Sequence, residues 1–111
     1  MARVRWKVRV KSGTGKWKKV EAEFDTDAES EQVSSELLQK LGMEISPGSR
    51  RKYLEVEVLG EVLLWPFEVV KNPGAFLRFG RVFIQTNGVI VSPSSKPPVR
   101  FAPGYPQPPV I

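Results

Sequence analysis

The sequence predicts an α+β domain. The expected architecture is a mainly antiparallel β-sheet, in the order β-β-α-β-β-β-β, with one helix packed on one face and an extended proline-rich C-terminal tail. Three observations predict it. Residues 3–11 and 53–58 alternate apolar and charged side chains at period two, the pattern of half-buried strands. Residues 27–41 set Val33, Leu37 and Leu41 at i, i+4 and i+8, behind Thr26 and Glu29 at capping-box spacing. Asn87-Gly88 lies between two apolar runs and is the strongest short hairpin signal in the chain.

The first strand carries Val4, Trp6, Val8 and Val10 on one face and Arg3, Arg5, Lys7, Arg9 and Lys11 on the other. Gly13-Thr14-Gly15 marks a turn, and a second strand runs from Trp17 to Phe24. A loop of Ser12 to Lys16 places Val8 opposite Val20, Trp6 opposite Ala22 and Val4 opposite Phe24. The same register sets Lys7 against Glu21, Arg5 against Glu23 and Arg3 against Asp25. A slip of one residue would put Trp6 against Glu21 and turn the whole apolar set to water.

The helix is expected over Asp27 to Leu41, with acids in its first turn, Lys40 in its last and Gly42 at C′. A loop with the basic cluster Arg50, Arg51 and Lys52 follows. The third strand sets Leu54, Val56 and Val58 against Tyr53, Glu55 and Glu57. The run from Glu61 to Val70 is apolar on both faces, and its Trp65-Pro66 pair predicts an edge strand or a bend. Asn72-Pro73-Gly74 reads as a turn. The segments around Asn87-Gly88 form the last hairpin, with Gly80 at a bulge. From Ser92 onward the chain holds seven of its ten prolines. This stretch is expected to be polyproline-like and unfit for a central strand. Residues 1–91 therefore form a single domain in this reading, and 92–111 a tail packed on the domain or on a partner.

Composition narrows the function. The chain has 111 residues, enough for one modest core. It contains no Cys and no His, which removes thiol nucleophiles, disulfides, the usual general base and the commonest metal ligand. No apolar run reaches the roughly 18 residues of a membrane span, so no membrane partner is expected, and a cytoplasmic location is the default. Four Gln, two Asn and no Cys, beside abundant Lys, Arg, Glu and Val, suit a thermophile. The net charge of +5 is unevenly distributed. Residues 1–19 hold eight of the seventeen basic side chains and no acid, while the rest holds nine basic and twelve acidic residues. A basic element is attached to a mildly acidic body.

That element carries the leading functional expectation. In the register above, Arg9, Lys11, Lys16, Lys18 and Lys19 crowd the hairpin tip without acid partners, and Trp17 sits among them. Cations that follow phosphates, beside an indole on which a base stacks, predict non-catalytic nucleic-acid binding, with single-stranded DNA or RNA favoured over duplex and little sequence selectivity. Arg50 and Arg51 would add secondary phosphate contacts, and Phe79 a second stacking surface if it faces outward. The competing reading is a solubilising strand with an indole folded onto the core. A second hypothesis is a protein-interaction or assembly module, a homodimer built through the proline-rich tail and the aromatic edge around Trp65. Pro103, Pro106 and Pro109 around Tyr105 could serve as its polyproline ligand. Glu55 and Glu57 project from one side of the third strand, and a structural role opposite Lys or Arg is expected of them. No cofactor, metal site or catalytic signature stands out, and the chain is not expected to be an enzyme.

Overall fold

The computed structural model describes residues 2–71 and 74–106. Its elements are β1 (Arg3–Lys11), β2 (Trp17–Asp25), β3 (Gln32–Ser34), α1 (Ser35–Lys40), β4 (Arg51–Val58), β5 (Glu61–Val70), β6 (Leu77–Phe79), α2 (Arg81–Thr86), β7 (Val89–Val91) and β8 (Val99–Phe101). Six strands close into a barrel in the order β1-β2-β6-β3-β5-β4. β7 and β8 form a separate two-stranded sheet.

The expected open sheet with a helix on its face is therefore corrected: the sheet closes on itself. β4 meets β1 through Arg9↔Glu57 and Val10↔Val56, and this short ladder removes the two edges an open sheet would expose. The one-sided alternation of β1, β2 and β4 suits a barrel, because the apolar side of each strand turns inward. Val8, Val10, Ala22, Phe24, Leu54, Val56 and Val58 are buried there. The β1–β2 register is residue for residue the one expected from the sequence, from Arg3↔Asp25 to Lys11↔Trp17.

Both helical segments differ from expectation. The helix over Asp27 to Leu41 is only Ser35–Lys40, capped by the Ser34 hydroxyl, which accepts from the Leu37 amide at 3.2 Å. Upstream of it the chain is extended, because Gln32–Ser34 is held between two strands: parallel to β5 and antiparallel to β6. The last hairpin is not formed. Residues Arg81–Thr86 are helical instead, and Asn87-Gly88 ends that helix, with Gly88 at φ 62°. Gly80 is the N-cap of α2 rather than a bulge.

β6 carries the topology. It lies between β2 and β3, parallel to the first through Glu23↔Arg78 and Phe24↔Phe79, and antiparallel to the second. β2 and β3, consecutive in the chain, are thus separated in space, and residues 26–31 must cross the end of β6. At the crossing the Phe79 ring stacks on Phe24 (4.7 Å between centroids) and also touches Phe67 (5.5 Å) and Phe83 (4.4 Å). Pairs of this kind add about 0.5–1.5 kcal/mol each beyond burial.

Pro66 sits where β5 has a single neighbour: β4 pairs with it from Glu61 to Glu68, but β3 joins only at Glu68. A missing amide is tolerated there. The expected turn at Asn72-Pro73-Gly74 falls in part outside the described residues, as does Pro109 of the tail. The tail's β8 pairs with β7, Val99 is fully buried, and the Tyr105 ring lies against Gly88. No helix among the described residues is long and apolar enough to cross a membrane.

Candidate functional site

Two charged regions stand out, at opposite ends of β2. The first is the acidic crossover, residues 25–31, which holds Asp25, Asp27, Glu29 and Glu31. It is anchored at three points. The Thr26 hydroxyl donates to the Ala2 carbonyl (3.1 Å) and accepts from the Ala2 amide (3.0 Å), and the Thr26 amide donates to the same carbonyl (2.9 Å). The Ala28 carbonyl accepts from the Arg81 amide at 2.7 Å. The third anchor is Glu31, only 6% exposed. Its Oε1 accepts from the Trp65 indole Nε1 (2.9 Å), and its Oε2 accepts from the Gly80 (3.2 Å) and Phe83 (3.0 Å) amides. Gly80 must lack a side chain, since a Cβ would come within 2.6 Å of the Ser30 carbonyl oxygen and 2.7 Å of that of Ala28.

These anchors leave the four carboxylates unequal. Glu31 is consumed by structure. Asp27 and Glu29 are exposed. Asp25 is half-buried at the end of β2, and its Oδ1 accepts from the Asp27 amide at 2.9 Å. Arg3 is its register partner, yet among the described residues no cation forms an ion pair with it. Beside the crossover lies a cleft of about 340 Å³, bordered by Glu29, Ser30, Arg51, Trp65, Glu68 and Val82.

The second region is the basic hairpin tip, which the structure modifies. Arg9 and Lys11 are not without acid partners: the closing strand brings Glu57 to 3.7 Å from Arg9 and Glu55 to 3.2 Å from Lys11. The sequence hid this pairing because it depends on barrel closure. Lys16, Lys18 and Lys19 are exposed, and none pairs with a carboxylate among the described residues. Trp17 is 37% exposed. Lower on the hairpin, Arg5 pairs with Glu21 at 3.5 Å rather than with Glu23, which Arg78 holds at 2.8 Å.

The other expected contacts are scattered. Phe79 is corrected outright: it is fully buried at the centre of the aromatic cluster and offers no face to a base. Arg50 and Arg51 are exposed at the start of β4, and Arg51 borders the cleft beside the crossover. Trp65 is not an open aromatic edge, since its ring packs edge-on against Phe83 (5.1 Å) while its N–H is held by Glu31. The sequence alone does not single out Asp25, whose register position makes it the expected partner of Arg3. The single local signal is an Asp-Thr pair directly after the apolar strand end Phe24, and that pair reads equally well as a helix start.

No protein-family model matches the chain, and no curated protein matches it. Among solved structures, it is similar to the retroviral protease-like domain of Ddi1 from Leishmania major. The TM-score is 0.62 at 13% identity, over 80% of this chain and 76% of that one. The likeness identifies the fold, a closed barrel like that of a retroviral protease-like domain. It also overturns the expectation that the chain is not an enzyme. That expectation rested on the lack of His and Cys, and hydrolysis by a pair of carboxylates needs neither.

Proposed function

We propose that this chain is a carboxylate-dependent hydrolase of peptide bonds, with Asp25 as its catalytic group. One observation carries the reading. In a barrel like that of a retroviral protease-like domain, Asp25 is the crossover carboxylate that is half-buried, held by a backbone amide and unpaired with any described cation. The chemistry needs two carboxyl groups that share one proton. The ionised one takes a proton from water as the water attacks the peptide carbonyl. The protonated one donates to the developing oxyanion and, later, a proton reaches the leaving amine. None of the crossover's other carboxylates fits as the second group: Glu31 is fully engaged, and Asp27 and Glu29 are exposed. A second copy presenting its own Asp25 supplies it, so the active species is a homodimer.

The test is cleavage of a diverse peptide library at mildly acidic pH over a range of protein concentrations. The expected rate rises more steeply than linearly with protein at low concentration. Asp25→Asn, which keeps the shape and removes the charge, is expected to lower turnover about 10³-fold or more. Turnover indifferent to Asp25→Asn, or a dimeric protein that cleaves nothing in the library, would overturn the reading.

A further inference from the structure

We infer that the tip of the β1–β2 hairpin is a binding site for single-stranded nucleic acid, separate from the Asp25 crossover. β2 spans nine residues between the two, roughly 27 Å at about 3.4 Å per residue. Neither site needs the other.

The charge at the tip is only partly compensated. Lys16, Lys18 and Lys19 are exposed without a carboxylate among the described residues. Lys7 joins them, because its cross-strand neighbour Glu21 is turned to Arg5. The pairs Arg9–Glu57 and Lys11–Glu55 are long or solvent-exposed, with the two basic side chains 51% and 44% accessible. Pairs of this kind hold weakly and exchange readily for a phosphate.

The backbone beneath these cations is fixed. The Ser12 amide donates to the Lys16 carbonyl (2.8 Å), and the Gly13 amide donates to the Leu41 carbonyl (2.8 Å) at the end of α1. The Ser12 and Thr14 hydroxyls lie 2.9 Å apart. A tip already held in place loses little freedom when a ligand binds.

Trp17 selects the class of ligand. It faces Lys11 across the hairpin and keeps 37% of its surface open. An acidic peptide would use the cations and leave the indole idle. A duplex would offer phosphates, but its bases are already stacked on each other. A single strand uses both features, with phosphates on the lysines and a base on the ring.

Fluorescence anisotropy with a labelled 12-nucleotide oligothymidylate, a duplex of the same length and a polyglutamate peptide, between about 20 and 200 mM salt, tests this. The expected order is single strand first. Its affinity should fall with a log–log salt slope of about −2 to −4, near 0.7 per phosphate neutralised. Replacing Lys16, Lys18 and Lys19 with Ala together should flatten the slope by about 2. Trp17→Ala should weaken single-strand binding about five- to a hundredfold and leave the slope in place. Thermal melts of each variant separate loss of binding from loss of fold. A flat salt response, equal affinity for all three ligands, preference for polyglutamate, or indifference to both sets of substitutions in folded protein would overturn the inference. None of these outcomes bears on peptide cleavage through Asp25.

Discussion

The crossover at residues 25–31 and the turn at 12–16 are both short, charged connections, but they are held in opposite ways. The crossover is fixed chiefly by side chains: the Thr26 hydroxyl on Ala2 and the Glu31 carboxylate on Trp65, Gly80 and Phe83. The turn is fixed chiefly by backbone, through Ser12 to Lys16 and Gly13 to Leu41. The difference decides which side chains remain available for chemistry. In the crossover Thr26 and Glu31 are consumed by structure and Asp27 and Glu29 are exposed, which leaves Asp25 as the half-buried carboxylate with no ion-pair partner among the described residues. At the tip the Ser12 and Thr14 hydroxyls hold each other, and Lys16, Lys18, Lys19 and the Trp17 ring are left open. Substitutions should therefore damage the crossover through folding and the tip through binding.

Glu31 offers the most severe way to break this contrast. Glu31→Ala orphans the Trp65 indole N–H and the Gly80 and Phe83 amides in a buried setting. At about 1–3 kcal/mol for each of the three orphaned donors, the expected loss is about 3–9 kcal/mol, read from urea unfolding. Glu31→Gln keeps one acceptor oxygen and should lose about half as much. A loss below about 1 kcal/mol for the Ala variant would mean that the crossover is not anchored by this carboxylate. Next comes Gly80→Ala. The new methyl meets two carbonyl oxygens that belong to backbone and cannot rotate away. Overpacking plus a weakened Arg81–Ala28 bond is expected to cost about 2–4 kcal/mol.

The contrast between the two connections also explains what was legible in the sequence. The β1–β2 register could be read there because everything that sets it is local: alternation on both strands and a five-residue connection. The crossover could not. Thr26 and Glu29 have capping-box spacing, and Val33, Leu37 and Leu41 have helical spacing, so the local signal points to one long helix. What overrides it is remote: β6 inserts between β2 and β3, and Glu31 reaches groups 49 and 52 residues further along the chain. Asn87-Gly88 misleads for a related reason. The dipeptide specifies a chain reversal with a left-handed glycine, which serves a helix end as well as a hairpin. Phe79 and Asp25 are the two consequences for function. Phe79 has basic sequence neighbours that suit a surface ring, yet it is the centre of the core. Asp25 has the cross-strand setting of an ion-pair partner, yet no described cation pairs with it.

The smallest expected effect separates two ways in which the tip could bind. Gly13 and Gly15 flank Thr14 in the same turn but are constrained differently. Gly15 has φ 84° with open space around it, so Gly15→Ala meets only the left-handed penalty of about 1–2 kcal/mol. A Cβ on Gly13 would lie 2.1 Å from the Gly42 carbonyl oxygen, so Gly13→Ala has to push the tip away from the end of α1. The stability losses should be similar, about 1–2 kcal/mol, because the turn lies at the rim and can give way. Single-strand affinity should not be similar. Gly13→Ala alters no charge and no ring, yet it undocks the segment that presents Lys16 and Trp17, and it should bind more weakly than Gly15→Ala in the same salt. If the two variants bind alike, the lysines act as a loose cloud of charge, and the backbone anchorage of the turn has no part in recognition.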